Sequence, residues 1–324
     1  MRAFVTGGTG HVGGNLVREL LKQDYEVRCL VRSDTRAIDG LKIETVKGNM
    51  LNPTEMKKLM NDCDVMFHSA AFVAVEKINE ELMWKINVEG TKSVCEAALD
   101  SDIEKMIHFS SIHAFNQKPT NQPLTEERPL VTDKRAPPYD RTKAEAQRIV
   151  NQTIENGLDC NILHPTGIIG PHDYKLSRMG EVIKSMANGK MPVTLRTGFN
   201  WVDVRDVSKS AINCIDKGLI GQHYILPGEW SSMKNISSII SEKTGKRTSL
   251  ITLPFWTSYM ALPFATVKSK ITGKRPSFSR GALQALATQC KEIPGELAKK
   301  HLDHSPRPIQ ESIEDTLEWF ESQK

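Results

Sequence analysis

The chain has 324 residues, 39% of them hydrophobic and 25% charged, ordinary proportions for a globular protein long enough to bury a large core and add a second lobe. A formal net charge of +4, with no basic block, excludes nucleic acid as an expected partner. The cysteines Cys29, Cys63, Cys95, Cys160, Cys214 and Cys290 have neither metal nor redox spacing and read as core residues of a reduced protein, so no metal is expected.

Arg2 to Thr6 reads as a short apolar strand, and His11 to Gln23 carries Val12, Leu16, Leu20 and Leu21 at helical spacing. Between them lies Thr6-Gly7-Gly8-Thr9-Gly10-His11-Val12-Gly13, which satisfies both Gly-x-Gly-x-x-Gly and a wider Gly-x-x-Gly-x-x-Gly pattern. Strand, glycine turn and helix form the context in which backbone amides and a helix dipole receive a dinucleotide pyrophosphate. A strand starting at residue 2 leaves no room for a signal peptide, and a cytoplasmic location is expected.

The second strand, Glu26 to Val31, ends at Arg32-Ser33. An acid there would bond the ribose 2′-hydroxyl; an arginine instead offers a fork of donors to a 2′-phosphate. NADP is therefore expected ahead of NAD, although Asp34 is close by. Ile43 to Val46 is the next strand, followed by a helix opening at Asn52-Pro53. Asp64 to Phe67 leads into His68-Ser69-Ala70-Ala71, and a long helix from about Asn79 to Ala98 holds Asn87-Val88-Glu89-Gly90-Thr91. Lys105 to Phe109 ends at Ser110-Ser111, and Asp159 to Leu163 forms a sixth strand. This alternation predicts an α/β fold, a Rossmann-type doubly wound parallel sheet.

Between the last two strands, Tyr139-Asp140-Arg141-Thr142-Lys143 opens a helix running to about Asn156. Tyrosine and lysine four apart share a helix face, where a cation can lower a phenol pKa from about 10. A proton-relay tyrosine beside a dinucleotide loop points to coupled hydride and proton transfer. The C-terminal part reads as a smaller, interleaved substrate lobe. Its elements are a helix over Ser177 to Asn188, a strand at Tyr224 to Leu226, and helices over Trp256 to Ile271 and Ser279 to Ala287. Residues 1–165 are assigned to cofactor binding and 166–324 mostly to substrate, with a segment near 200–226 returning to the sheet. Leu253 to Val267 is apolar but short and broken by Pro254 and Pro263, so no membrane span is expected. Phe72, Tyr174, Phe199 and Trp201 are candidates for an apolar pocket.

The glycine loop, His68-Ser69-Ala70-Ala71, Asn87-Val88-x-Gly90-Thr91, Ser110-Ser111 and Tyr139-x-x-x-Lys143 are followed by His164-Pro165-Thr166-Gly167-Ile168-Ile169-Gly170-Pro171 and Val202-Asp203-Val204-Arg205-Asp206-Val207. In this order they resemble the extended short-chain dehydrogenases/reductases, within the NAD-dependent epimerase/dehydratase group and closest to its dihydroflavonol-reductase-like branch. The resemblance implies Ser111, Tyr139 and Lys143 as catalytic residues. It implies a cofactor-binding set of Gly7, Gly10, His11, Val12, Gly13, Arg32, Asn49, Met50, Ala70, Ala71, Asn87, Tyr139, Lys143, Pro165 and Ile168. Gly48-Asn49 departs from the Gly-Asp common in the group. Ile112-His113 departs from the Asp-Glu pair of its dehydratases, which argues against dehydration. His113, His172 and Asp173 could face a pocket or pack structurally. Three readings follow: an NADP-dependent reductase of an aldehyde or ketone, a nucleotide-sugar epimerase with tightly held NAD, and a non-catalytic cofactor-sensing regulator. Lys175, Arg178, Arg196 and Arg280 could serve the epimerase's diphosphate. A small-molecule carbonyl or alcohol is the expected substrate, and a homodimer through the Asn87 and Tyr139 helices the expected assembly.

Overall fold

The computed structural model describes residues 1–73, 79–249, 251–263, 283, 287 and 289–323. Strands β1 (Arg2–Thr6), β2 (Glu26–Val31), β3 (Glu44–Lys47), β4 (Val65–His68), β5 (Lys105–Phe109) and β6 (Cys160–Pro165) build one sheet, which β10 (His223–Leu226) completes. Its order is β3-β2-β1-β4-β5-β6-β10, and every pairing is parallel. The order reverses between β1 and β4, the crevice where such sheets receive ligands.

Burial explains the sequence of the central strands. β4, β5 and β6 are buried along their whole lengths, as parallel strands covered on both faces must be. Alternate residues of β1 supply the two faces. Ala3 and Val5 join one core with Leu16 and Leu20 of α1 (His11–Lys22) and Val207 and Ala211 of α7 (Val204–Lys217). Phe4 joins the other with Met56 of α2 (Pro53–Leu59), Val94 of α4 (Gly90–Leu99) and Val150 of α5 (Pro138–Glu155).

The helix expected from Asn79 to Ala98 is a run of α3 (Glu80–Trp84), a π turn over Lys85–Glu89 and α4. The wide turn carries Asn87. The sixth strand extends to Pro165, beyond its expected end. The expected helix over Ser177 to Asn188 is α6 (Arg178–Ala187), capped by Ser177. Of the expected helix over Trp256 to Ile271, residues 257–263 are helical and the remainder lies outside the described residues. So do Arg280 and most of Ser279 to Ala287.

Beyond β6 the chain forms a second, three-stranded sheet in the order β11-β9-β7. Its strands are β7 (Gly167–Ile169), β9 (Gly198–Asp203) and β11 (Glu229–Ser232). Helices α6, α8 (Met233–Thr244) and α10 (Ile309–Ser322) enclose an apolar core of Ile183, Met186, Ile236, Ile240 and Ile313. Charge ties this layer to α7. Arg205 bonds Asp203 at 2.7 Å and Asp315 of α10 at 2.5 Å, and Arg307 bonds Asp206 at 2.8 Å. Asp203 also caps α7 by accepting from the Arg205 amide.

Candidate active site

The loop after β1 is shaped by backbone contact. Gly7 has φ +76°, and a Cβ there would meet the Ala70 amide nitrogen at 2.6 Å; one on Gly13 would sit 2.2 Å from the Gly7 carbonyl oxygen. Only glycine fits either place. Gly10 begins α1 with no side-chain cap, so the first-turn amides of His11, Val12 and Gly13 have no intrahelical acceptor. Open amides at the positive end of a twelve-residue helix, in a cradle only glycine permits, fit a dinucleotide pyrophosphate. The His11 side chain does something else: Nε2 lies 3.2 and 3.1 Å from the carbonyl oxygens of Gly170 and Pro171. Asn15 Nδ2 donates to the Pro171 carbonyl at 3.0 Å, so α1 holds the loop after β7.

Arg32, at the end of β2, is exposed. Asp34, which blurs the cofactor choice in sequence, is gripped by Arg36 at 2.9 Å, and that bond holds its carboxyl down to about 2. Asn49 is exposed and turns its side chain back to the Leu51 amide at 3.1 Å. Met50 lies over Gly90, where a Cβ would come 2.5 Å from its methyl carbon.

Ala70 and Ala71 are positioned by a buried polar chain. Thr91 Oγ1 donates to the Asn87 carbonyl at 2.7 Å, so His68 Nε2 must donate to Thr91 Oγ1 at 3.0 Å. His68 Nδ1 then accepts from Thr6 Oγ1 at 2.8 Å. Burial pushes His68 down to about 3, which keeps it neutral. Asn87 pairs with the Phe72 backbone, accepting at 2.7 Å and donating at 3.1 Å, and also donates to Thr142 at 3.2 Å. One asparagine thus joins the loop after β4 to the helix bearing Tyr139.

Ser111, Tyr139 and Lys143 meet at the end of β5. Ser111 is buried and caps a short 3₁₀ turn, its Oγ accepting from the His113 amide at 3.2 Å. Burial pushes the Tyr139 phenol up to about 12, outweighing the opposite pull of Ser111. The lowering expected from Lys143 is not met in this structure. That ammonium, itself pushed down to about 8 by burial, donates to the Phe109 carbonyl at 2.9 Å. Such a site can hold a protonated phenol and a hydroxyl against one substrate oxygen and polarise it. Pro165 is buried at the end of β6, and Ile168 lies partly open on β7.

His113 faces the site. Its Nδ1 is 3.3 Å from Asp140 Oδ1, and its ring meets Tyr139 edge-on at 5.9 Å and Phe199 in parallel at 6.4 Å. Phe199 and Trp201 pack together at 5.1 Å, in space left by Gly167. Tyr174 belongs elsewhere: it packs against Trp319 and under Arg18. His172 joins that aromatic group and is pushed down to about 4 by burial. Asp173 is buried and accepts from the Ser177 amide at 2.7 Å, a structural role.

Sequence reading missed two features. Lys175 reaches back to Thr9 of the glycine loop at 3.0 Å, a meeting across the chain with no local signal. His164 Nδ1 lies 3.2 Å from the Ser111 carbonyl and its Nε2 3.3 Å from His223, behind the site. The Thr91 contact was accessible in sequence, through its spacing of four from Asn87. Among the described residues no cluster suited to a metal occurs.

Residues 3–226 match the model of the NAD dependent epimerase/dehydratase family. A Synechocystis protein named "Putative dihydroflavonol 4-reductase" is 32% identical, over 98% of this chain and 94% of its own. Sterol demethylase protein B of Methylococcus capsulatus is 29% identical, over 99% and 98%. The crystal structure of gox2253 superposes with a TM-score of 0.85 at 30% identity, over 99% and 98% of the two chains. UDP-glucuronic acid 4-epimerase from Bacillus cereus, bound to UDP-glucuronic acid and NAD, gives a TM-score of 0.80 at 20% identity over the whole of both chains, a likeness of fold. The chain is an NAD(P)-dependent oxidoreductase of the extended short-chain type and belongs to the NAD-dependent epimerase/dehydratase family.

Proposed function

We propose that this protein reduces an aldehyde or ketone with NADPH. The observation that carries the reading is the meeting of Ser111, the protonated Tyr139 and the buried Lys143 at the end of β5, beside the uncapped start of α1. NADPH, when bound, supplies the hydride. Ser111 and Tyr139 bond the carbonyl oxygen and polarise it, and Tyr139 gives that oxygen its proton. Lys143 holds the ribose and, once turned toward the phenol, eases proton loss. The glycine loop receives the pyrophosphate, Ala70 and Ala71 allow close approach, and Pro165 and Ile168 flank the nicotinamide.

NADP is favoured because Arg32 stands open at the end of β2 while Arg36 neutralises Asp34. The relatives' names support reduction and dehydrogenation over sugar chemistry. Of the cations that an epimerase would direct at a diphosphate, Lys175 sits on Thr9 and Arg178 lies 3.6 Å from Glu181. The reading includes a homodimer, for which exposed Leu82, Trp84 and Leu99 on the α3–α4 run offer apolar surface; light scattering that reports a single chain at micromolar concentration removes it. It also includes a cytoplasmic location, which suits six free, buried thiols. Among the described residues no helix is long and apolar enough to cross a membrane.

The test records NADPH and NADH oxidation by purified protein against a panel of aldehydes, ketones and nucleotide sugars. Carbonyl-dependent NADPH consumption is expected. Interconversion of nucleotide sugars without net cofactor oxidation would replace the reading with the epimerase.

A further inference from the structure

We propose that Lys175 is a second cation for the 2′-phosphate of NADP, brought to the glycine loop by the segment between β7 and α6. This rests on the reading of NADP as the cofactor and adds to it a contact from outside the cofactor-binding part of the chain.

The place of the ammonium is built from both sides. Lys175 Nζ donates to Thr9 Oγ1 at 3.0 Å, which sets a positive charge directly on the glycine loop. The segment that carries it is fixed to α1 by several side chains. His11 and Asn15 hold the Gly170 and Pro171 carbonyls, and the Arg18 guanidinium lies 5.8 Å over the ring of Tyr174. Arg18 in turn donates to the Ala37 carbonyl at 2.6 Å, in the loop that leads on from Arg32, Ser33 and Asp34. Lys175 therefore touches the glycine loop while its neighbour Tyr174 is tied, through Arg18, to the loop after β2. These two loops flank the adenosine ribose when a pyrophosphate sits at the start of α1.

Backbone strain and charge separate Lys175 from an ordinary surface lysine. His172 and Leu176, on either side of it, have φ +62° and +48°, the left-handed region that bulky side chains avoid. The buried Asp173 keeps them there: its carboxylate accepts from the Ser177 amide at 2.7 Å and its carbonyl from the Leu176 amide at 3.1 Å. Strain held on both sides of one residue serves to aim that residue. Among the described residues no carboxylate pairs with Lys175, and an ammonium that spends one N–H on Thr9 has two more to give. Its charge also acts on Asp34, a carboxylate that Arg36 already holds. With Arg32 two residues before Asp34, this corner carries more positive charge than its own acid balances. A 2′-phosphate supplies the missing anion, and a ribose hydroxyl does not.

The experiment titrates NADPH and NADH by calorimetry into wild type, Lys175→Met, Lys175→Arg and Arg32→Ala, with urea midpoints as the check on folding. Lys175→Met keeps the length of the stem and removes the charge at an exposed position. It should weaken NADPH by about 10-fold and NADH by less than about 2-fold. Lys175→Arg should keep most of the NADPH affinity, and added salt should narrow the gap between wild type and Lys175→Met. NADPH affinity unchanged in Lys175→Met overturns the inference. So does equal weakening of both cofactors, which would move the lysine to the pyrophosphate. If Arg32→Ala loses NADPH selectively while Lys175→Met does not, the inference falls and the NADP reading stands. Wild type that binds NADH more tightly than NADPH overturns the NADP reading, and the inference with it.

Discussion

The two ends of the site are built by opposite means. The end after β1 is backbone: glycines that admit no Cβ, a positive φ and open helix amides, all within eight consecutive residues. The end after β5 is side chain: Ser111 from a strand end, Tyr139 and Lys143 from α5, His113 from a 3₁₀ turn and Phe199 from the second sheet. A backbone cradle can receive any dinucleotide of the right shape, whereas side chains gathered from distant segments choose a reaction and a substrate. Damage to one end should therefore register as cofactor affinity, and damage to the other as turnover or selectivity.

The sharpest division comes from Tyr139→Phe. It should cut turnover by about 10²–10⁴-fold while NADPH binds almost as before, measured by steady-state kinetics and calorimetry; loss of both together would erase the boundary between the ends. Arg32→Ala should weaken NADP by about 1.5–3 kcal/mol, the loss of a charge-assisted bond, and leave NAD nearly unchanged. Equal weakening in paired titrations would remove Arg32 from the cofactor site. Gly13→Ala forces a methyl against the Gly7 carbonyl and should cost about 1–3 kcal/mol of overpacking strain, read as a lower melting temperature and weaker binding of both cofactors. The mildest test needs no mutation. His68, held neutral with a pKa near 3 against an ordinary 6.5, takes its proton only on unfolding. Stability should fall as pH drops from about 6.5 toward 3, and urea midpoints across that window should show the slope shrinking in a His68→Gln variant.

Much of the backbone end was legible in sequence because glycine spacing and strand–helix periodicity are local. The parallel sheet followed from the same alternation, and Asn52 and Ser177 marked their helix starts. The Tyr139 and Lys143 pairing was legible as a helix face, but its electrostatics were not: spacing shows proximity, while burial sets the direction of the pKa shift. His113 stayed ambiguous in sequence because its partners, Asp140 and Phe199, lie far along the chain. Tyr174 shows the converse. It is an aromatic residue near the right motif whose partner, Trp319 in the last helix, takes it away from Tyr139.

The place of β10 at the sheet edge bears on how the chain is made. β6 is buried along its length and ends at residue 165, but the strand that covers its outer edge begins only at residue 223. During synthesis the emerging sheet presents an apolar, unpaired edge until the intervening second-layer segments have left the ribosome. Such an edge is a template for pairing with other chains, and a late partner slows closure. A fragment ending after β6 should aggregate, and chaperone dependence should fall once residues up to Leu226 are free to fold.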